Sequence, residues 1–313
     1  MSDFFAKPYI REVFEKALPI LVPDFHVKKL MNRNSSISGN SANIGFSLDQ
    51  YFNLTQQYDY HSNVVSHFTS IKSLFSILNS ESIRLYNLLN VNDPNEFMNV
   101  LPEEFHPYLK RKKQDVYIMS CVDFETLPEA DKLKMWKKYG DNSKGVRVEL
   151  EVIPNHKAQY CFLKSICYDH LDTSEFFSVI GHIKEKHNLY ELDVSEMLYT
   201  PSLLHKESKW KQEMETRLLF YDKDPKGFNA DYPNPKTPIF WDYSNRYNTL
   251  CRYYNIKLND PKSIALIKIR KIELGKFHNQ VGNSPLFDEL RIHQAIRKAK
   301  RIGAQFGVTI SEI

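Results

Sequence analysis

Apolar residues at helical spacing open the chain: Ile10, Val13, Phe14, Leu18 and Leu21 share a face if residues 1–32 are helical. The stretch NRNSSISGNSANIG (32–45) breaks that period with Asn, Ser and Gly and reads as a linker or flexible loop. From residue 64 onward, short apolar runs alternate with periodic segments. VVSHFTS reads as a buried strand. Ser70 then caps a helix, IKSLFSILNS, that carries Ile71, Leu74, Phe75 and Leu78 on one face. IRLYNL is a second strand. In VNDPNEF the Asn and Asp side chains cap a turn, and Pro94 suits the first turn of the next helix. VYIMSCVDF (116–124) is a third strand, PEADKLKMWKKYG a helix closed by Gly140, and GDNSKG the turn into the strand VRVELEV. A helical middle (173–200) leads to KWKQEMETRLLFY (209–221), which reads as a strand. SIALIKIRKIEL is a further strand and DELRIHQAIRKAKRIG a final helix.

Short, non-adjacent strands among helices indicate a mixed α/β or α+β fold, and the lack of regular βαβ spacing argues against a doubly wound sheet. The expected organisation is an N-terminal helical segment with a flexible linker over 1–60 and an α+β domain over 61–313.

Composition narrows the chemistry. At 313 residues, 42% hydrophobic and 26% charged, the chain has the make-up of a soluble globular protein. Only 10 glycines are present, and neither GxGxxG nor GxxxxGK[ST] occurs, so no dinucleotide fingerprint or P-loop is supported. The net charge of +4 neither demands nor excludes nucleic acid. Lys110–Lys113 and Arg291–Arg301 are local basic runs, most simply solvated helix faces. The N-terminus has no continuous apolar stretch of a signal peptide, and no run is long enough to span a bilayer. A cytoplasmic protein without membrane contact is therefore expected. Cys121, Cys161, Cys167 and Cys251 form no CxxC pair, which suits reduced, buried thiols, and the histidines show no zinc spacing.

Four stretches carry candidate chemistry, each with a plainer reading beside it. His67, where VVSHFTS ends, can meet a ligand or simply satisfy a bond within the fold. Asn92-Asp93-Pro94-Asn95-Glu96 is a helix start with a carboxylate at the positive end of the dipole. Trp136 and Tyr139 lie three apart on one helix face, where they can stack a planar ring or belong to the core. On a strand, Glu213, Glu215 and Arg217 point one way while Met214, Thr216 and Leu218 point the other. Two like charges so close call for a cation or ligand, which Arg217 partly supplies; a charged edge strand would look the same.

In order and spacing, SHFTSIKSLFSIL, VNDPNEF, MWKKYGDNSKGVRVELE, KESKWKQEMETRLLFY and IKIRKIELG resemble a widespread bacterial family long catalogued as a domain of unknown function, over roughly residues 64 to 305. The motif order is also similar to the ADP-ribosyltransferase fold, which implies a split mixed or antiparallel sheet with surrounding helices. In that superfamily a first-strand His or Arg meets the adenosine-side ribose or the nicotinamide amide of NAD, and a later strand carries the catalytic Glu. Carried over, the resemblance implies that His67 with Thr69 forms the first motif, that Glu215 is catalytic and that Glu213 positions or deprotonates the acceptor. Asn92, Asp93 and Tyr139 join His67 and Thr69 as candidate NAD contacts. Either Tyr139 or Ser120 stands for the middle motif. Arg217 has no role in the general pattern.

The expectation is an NAD-dependent ADP-ribosyltransferase, with NAD as co-substrate, acting as a toxin or antiphage effector on nucleic acid or protein. An antitoxin or chaperone is an expected partner of the N-terminal segment. The alternatives are an NAD glycohydrolase and a non-catalytic nucleic-acid- or partner-binding module of a defence or toxin-antitoxin system.

Overall fold

Pro8 fits the first turn of a helix because its missing N–H would have no partner there, and the chain begins its described structure at that point. A computed structural model describes residues 7–22, 36–44, 59–90, 102–103, 106–107, 113–155, 161–168, 171, 173–222, 239–244, 249–275, 297, 301, 304, 307 and 309–312. The elements in chain order are α1 (Pro8–Glu12), a π turn (Val13–Ala17), α2 (Leu18–Leu21), β1 (Ser36–Ser38), β2 (Ser41–Asn43), β3 (Val64–Thr69), α3 (Ile71–Ser80), β4 (Ser82–Asn87), β5 (Val116–Val122), α4 (Glu129–Tyr139), β6 (Val146–Pro154) and β7 (Cys161–Ser165). They continue with α5 (Thr173–Lys186), β8 (Glu191–Asp193), α6 (Ser195–Leu204), β9 (Glu215–Tyr221), β10 (Ile239–Ser244), β11 (Thr249–Lys257), β12 (Ala265–Leu274) and β13 (Thr309–Glu312). The chain divides into two units: Met1–Asp59 with Val91–Asp115 and Lys164–Lys211, and Tyr60–Asn90 with Val116–Leu163 and Gln212–Ile313.

In the first unit the expected apolar face is present: Ile10, Val13, Phe14, Leu18 and Leu21 are all buried. They pack against α5, whose Phe176, Ile180 and Ile183 repeat at helical spacing and are buried too. Glu12 ties the two helices, accepting from Lys186 Nζ at 2.6 Å and lying 3.0 Å from His187 Nε2. The stretch expected as a linker or loop corrects to structure over residues 36–43, where β1 and β2 form an antiparallel hairpin closed at Ser38 and Ser41. Gly39 takes the first of the two turn positions at φ 58, a conformation that costs glycine nothing. β2 then runs parallel to β8.

The second unit is built on one sheet of order β10-β11-β4-β5-β3-β6-β12-β13, with β9 added on β5 and β7 on β9. The pairs with defined register are antiparallel except β12–β13. β5 is where the sheet divides. One edge of β5 pairs with β9 along its whole length, Val116 opposite Tyr221 through Val122 opposite Glu215. The other edge meets β4 at Tyr117 and Ile118 and β3 only at Val122. On one face, Val65, Met119, Cys121, Val148, Leu150, Leu218 and Ile267 make the main core with Leu74 and Leu78 of α3. This is a mixed architecture of antiparallel sheet and helices, compatible with the expected α+β class. Ser70 caps α3 as expected, its hydroxyl accepting from Ser73 N–H at 3.1 Å. Among the described residues no helix is long and apolar enough to cross a membrane. The β10–β11 hairpin and β13 are additions that the apolar pattern alone does not announce.

Candidate functional site

The strand expected to hold Glu213, Glu215 and Arg217 on one face is shorter than its pattern suggests. β9 starts at Glu215; Glu213 closes a 3-10 turn (Ser208–Glu213), and Met214 joins them at φ 42. A left-handed methionine is strained, a cost of the kind that surrounding structure must impose. Because of that joint, Glu213 and Glu215 are both buried while Met214 is 41% exposed. The two carboxylates thus turn inward from different local structures, not from strand alternation.

Glu215 is held by its own strand and by β5. Arg217, 1% exposed, sits two residues along the same strand face and donates from Nε to Glu215 Oε1 at 2.7 Å. From β5, Ser120 Oγ donates to the same oxygen at 2.6 Å. Burial lowers the Arg217 guanidinium to about 9, still cationic at neutral pH beside the carboxylate. Arg217 therefore has a defined place: it neutralises and orients Glu215 inside the protein.

His67 approaches the same serine from β3. Its Nδ1 lies 3.0 Å from the backbone oxygen of Ser120, just past the point where β3 and β5 touch at Ser66 and Val122. A carbonyl accepts, so Nδ1 carries the hydrogen and Nε2 is left as the acceptor. Desolvation lowers the His67 pKa, partly offset by this bond, so the ring is neutral at neutral pH. Thr69 ends β3, opposite Val146.

Glu213 has a separate hydroxyl. Tyr139, the last residue of α4, donates its OH to Glu213 Oε1, and Lys138 Nζ reaches the same oxygen at 2.6 Å. Ser120 thus bonds Glu215, and Tyr139 bonds Glu213. Trp136 takes the core side of its alternative. It is buried with Phe68, Val122, Phe124, Leu127 and Met135, edge-on to Phe68 at 5.1 Å.

The turn after α4 explains the glycines of WKKYGDNSKG. Gly140 is not left-handed; Asp141, Asn142 and Ser143 take positive φ in succession instead. The loop then folds onto β3 so closely that a Cβ at Gly145 would stand 2.3 Å from the Thr69 oxygen. This contact sets Gly145 directly against the end of β3. Asn92 and Asp93 lie outside the described residues, as do Lys110–Lys112 and most of the basic run 291–301.

A second polar cluster escapes a reading of the pattern. Arg147, 2% exposed within VRVELEV, donates from Nε to Glu273 at 2.6 Å and from Nη1 to Ser66 at 3.1 Å and Glu125 at 3.0 Å. Burial alone would raise Glu273, but the hydrogen bonds from Arg147 and Lys271 hold it below its ordinary value. Alternation marks Arg147 as a solvent-face residue. Only its pairing opposite Phe68 and Glu273 reveals the buried role.

The described site is thus one histidine, one serine and two buried carboxylates, each carboxylate with its own cation and its own hydroxyl donor. Oriented, desolvated carboxylates of this kind stabilise a developing positive charge or take a proton. No family model, no curated protein and no solved structure matches the chain.

Proposed function

We propose that the protein is an NAD-dependent ADP-ribosyltransferase whose catalytic residue is Glu215. The observation that carries this reading is the convergence of β3, β5 and β9 on Ser120, whose carbonyl meets His67 and whose hydroxyl holds Glu215. The division of the sheet at β5 suits the split sheet expected of such a fold. In the reaction, the bond between ribose C1′ and the nicotinamide nitrogen breaks, and its electron pair leaves with neutral nicotinamide. The ribose passes through an oxocarbenium-like state, as in glycoside cleavage. Glu215, fixed by Ser120 and Arg217, stabilises that cation through the ribose hydroxyl beside it. A nucleophilic oxygen or nitrogen of the acceptor then bonds to C1′ and gives its proton to Glu213. His67 and Thr69 would hold the dinucleotide, with His67 Nε2 as acceptor.

The test is incubation of the full chain with labelled NAD and cell extract, comparing wild type with Ser120→Ala and Glu215→Gln. Labelled macromolecule with wild type, strongly reduced in both folded variants, supports the reading. Equal labelling in all three would overturn it. Free ADP-ribose and nicotinamide without labelled macromolecule would instead assign an NAD glycohydrolase.

A further inference from the structure

The sheet forks along one edge of β5. β4 occupies that edge at Tyr117 and Ile118, and β3 reaches it only where Ser66 lies opposite Val122. Between them, among the described residues, no strand pairs with this edge over 119–121. It is there that His67 Nδ1 meets the Ser120 oxygen at 3.0 Å. Val122 is also the residue opposite Glu215 on β9. Ser66, Val122 and Glu215 therefore stand in one row on one face, at about 5 Å per strand. Whatever holds the Ser66–Val122 contact sets how far His67 stands from Glu215.

Arg147 spans that junction. Its Nη1 donates to Ser66 Oγ on β3 at 3.1 Å, and to Glu125 Oε1 at 3.0 Å, three residues past Val122 on the chain leaving β5. Its Nε is anchored on Glu273 of β12 at 2.6 Å, and its guanidinium carbon stands 4.1 Å from the centre of the Phe124 ring. A guanidinium is planar and rigid, so a group anchored through one nitrogen presents the others in fixed directions. At 2% exposure, little water competes for these bonds. One nitrogen thus ties β3 directly and β5 through the residues that follow it.

We propose that Arg147 is a positioning residue: by holding Ser66 and Glu125 together it fixes the β3–β5 junction, and so the distance from His67, which would hold the dinucleotide, to Glu215. Its effect on turnover rests on the ribosyl-transfer reading above; its hold on the junction does not. Glu215 keeps its own bonds to Ser120 and Arg217 when the junction loosens. The loss therefore falls on dinucleotide binding more than on bond breaking. A purely structural role would do the opposite, lowering the active fraction and hence kcat at an unchanged KM.

The experiment compares the full wild-type chain with Glu125→Ala and Ser66→Ala/Glu125→Ala. The double variant removes both partners of Nη1 and leaves the bond from Nε to Glu273 in place. The single variant changes a side chain 70% exposed and keeps the fold. Amide exchange reads the junction, and NAD cleavage gives KM and kcat. The double variant should exchange faster where Ser66 meets Val122 and should raise KM for NAD by about tenfold or more, with kcat changed less. Glu125→Ala should move both readings in the same direction by a smaller amount, and it decides the matter if the double variant does not fold. Exchange at the wild-type rate overturns the clamp. Faster exchange with an unchanged KM, whether or not kcat falls, overturns the positioning role. Faster exchange in the variants with no NAD cleaved by the wild type overturns ribosyl transfer and leaves the clamp standing.

Discussion

Ser120 gives its hydroxyl hydrogen to Glu215 Oε1 across 2.6 Å while its own carbonyl oxygen meets His67 Nδ1 at 3.0 Å. A single residue in mid-strand thus holds both halves of the site, one through its side chain and one through its backbone. Ser120→Ala removes only the first. A lost hydrogen bond to a charged group costs roughly 1.5–3 kcal/mol, readable by urea unfolding. NAD cleavage should fall by about tenfold or more, while His67 keeps its contact. Unchanged turnover in this variant would show that Glu215 acts without Ser120.

Glu215 and Arg217 form a buried pair, which makes simple loss-of-activity data at Glu215 ambiguous. Glu215→Ala leaves the Arg217 cation without this carboxylate at 1% exposure. Removing one partner of a buried pair costs about 3–5 kcal/mol, whereas replacing both by apolar groups is often near neutral. Unfolding measurements should therefore find Glu215→Ala much less stable than wild type and Glu215→Leu/Arg217→Met close to it. Both should be inactive. If the double variant cleaves NAD, Glu215 is structural.

Gly145→Ala tests the turn that locks α4 to β3. The added Cβ meets a backbone oxygen, Thr69 O at 2.3 Å, so no side chain can rotate away. Overpacking against backbone costs roughly 1–3 kcal/mol or more. The thermal midpoint should drop, and activity should fall with it because the contact bears directly on Thr69 at the end of β3. A variant with wild-type stability would mean that the turn yields more easily than its packing implies.

Glu12 gives the first unit an acid-labile latch. Hydrogen bonds from Lys16, Lys186 and His187 lower its pKa from 4.5 to about 2. A carboxylate with a depressed folded pKa stabilises fully above its unfolded value and loses that contribution as pH falls toward the folded one. Acidification from about 4.5 to about 2 should therefore loosen α1 from α5, seen as faster amide exchange in Pro8–Leu21. Glu12→Gln should be weaker at neutral pH and show little further change over that interval. Equal acid sensitivity in both proteins would remove Glu12 from this role.

What could be read in advance follows physical lines. Period and capping found α3, with Ser70 at its start, because both signals are local. Alternation left Glu215 open between a lined cleft and a charged edge strand, and its partners were hidden, since Ser120 lies 95 residues away in sequence and meets it only through strand register. Glu213 was expected on the strand because E-M-E alternates; the left-handed Met214 broke the alternation without changing the outcome. Arg147 was invisible for the opposite reason: a charge at an alternating position looks solvated until the strand on its other side is known. FWDYS and TLCRYYNIK are rich in strand-forming aromatics on either side of the polar stretch NRYN, a sequence signal for a hairpin.

Tyr139 and Lys138 decide what Glu213 can do. Both reach the same carboxylate oxygen, one from a half-buried ring and one from a side chain 45% exposed. If Glu213 takes the acceptor proton, Glu213→Gln should abolish labelling of macromolecules yet spare nicotinamide release, because water still reaches the ribose cation formed at Glu215. Tyr139→Phe removes one donor and should sit between the two, at a stability cost of roughly 1.5–3 kcal/mol. Lys138→Met removes a partly exposed partner and should change stability by less than about 1 kcal/mol. The measurement is a parallel assay of nicotinamide release and labelled acceptor for all four proteins. Proportional loss of both products in Glu213→Gln would assign this carboxylate to the shared bond-breaking step, and Tyr139 with it.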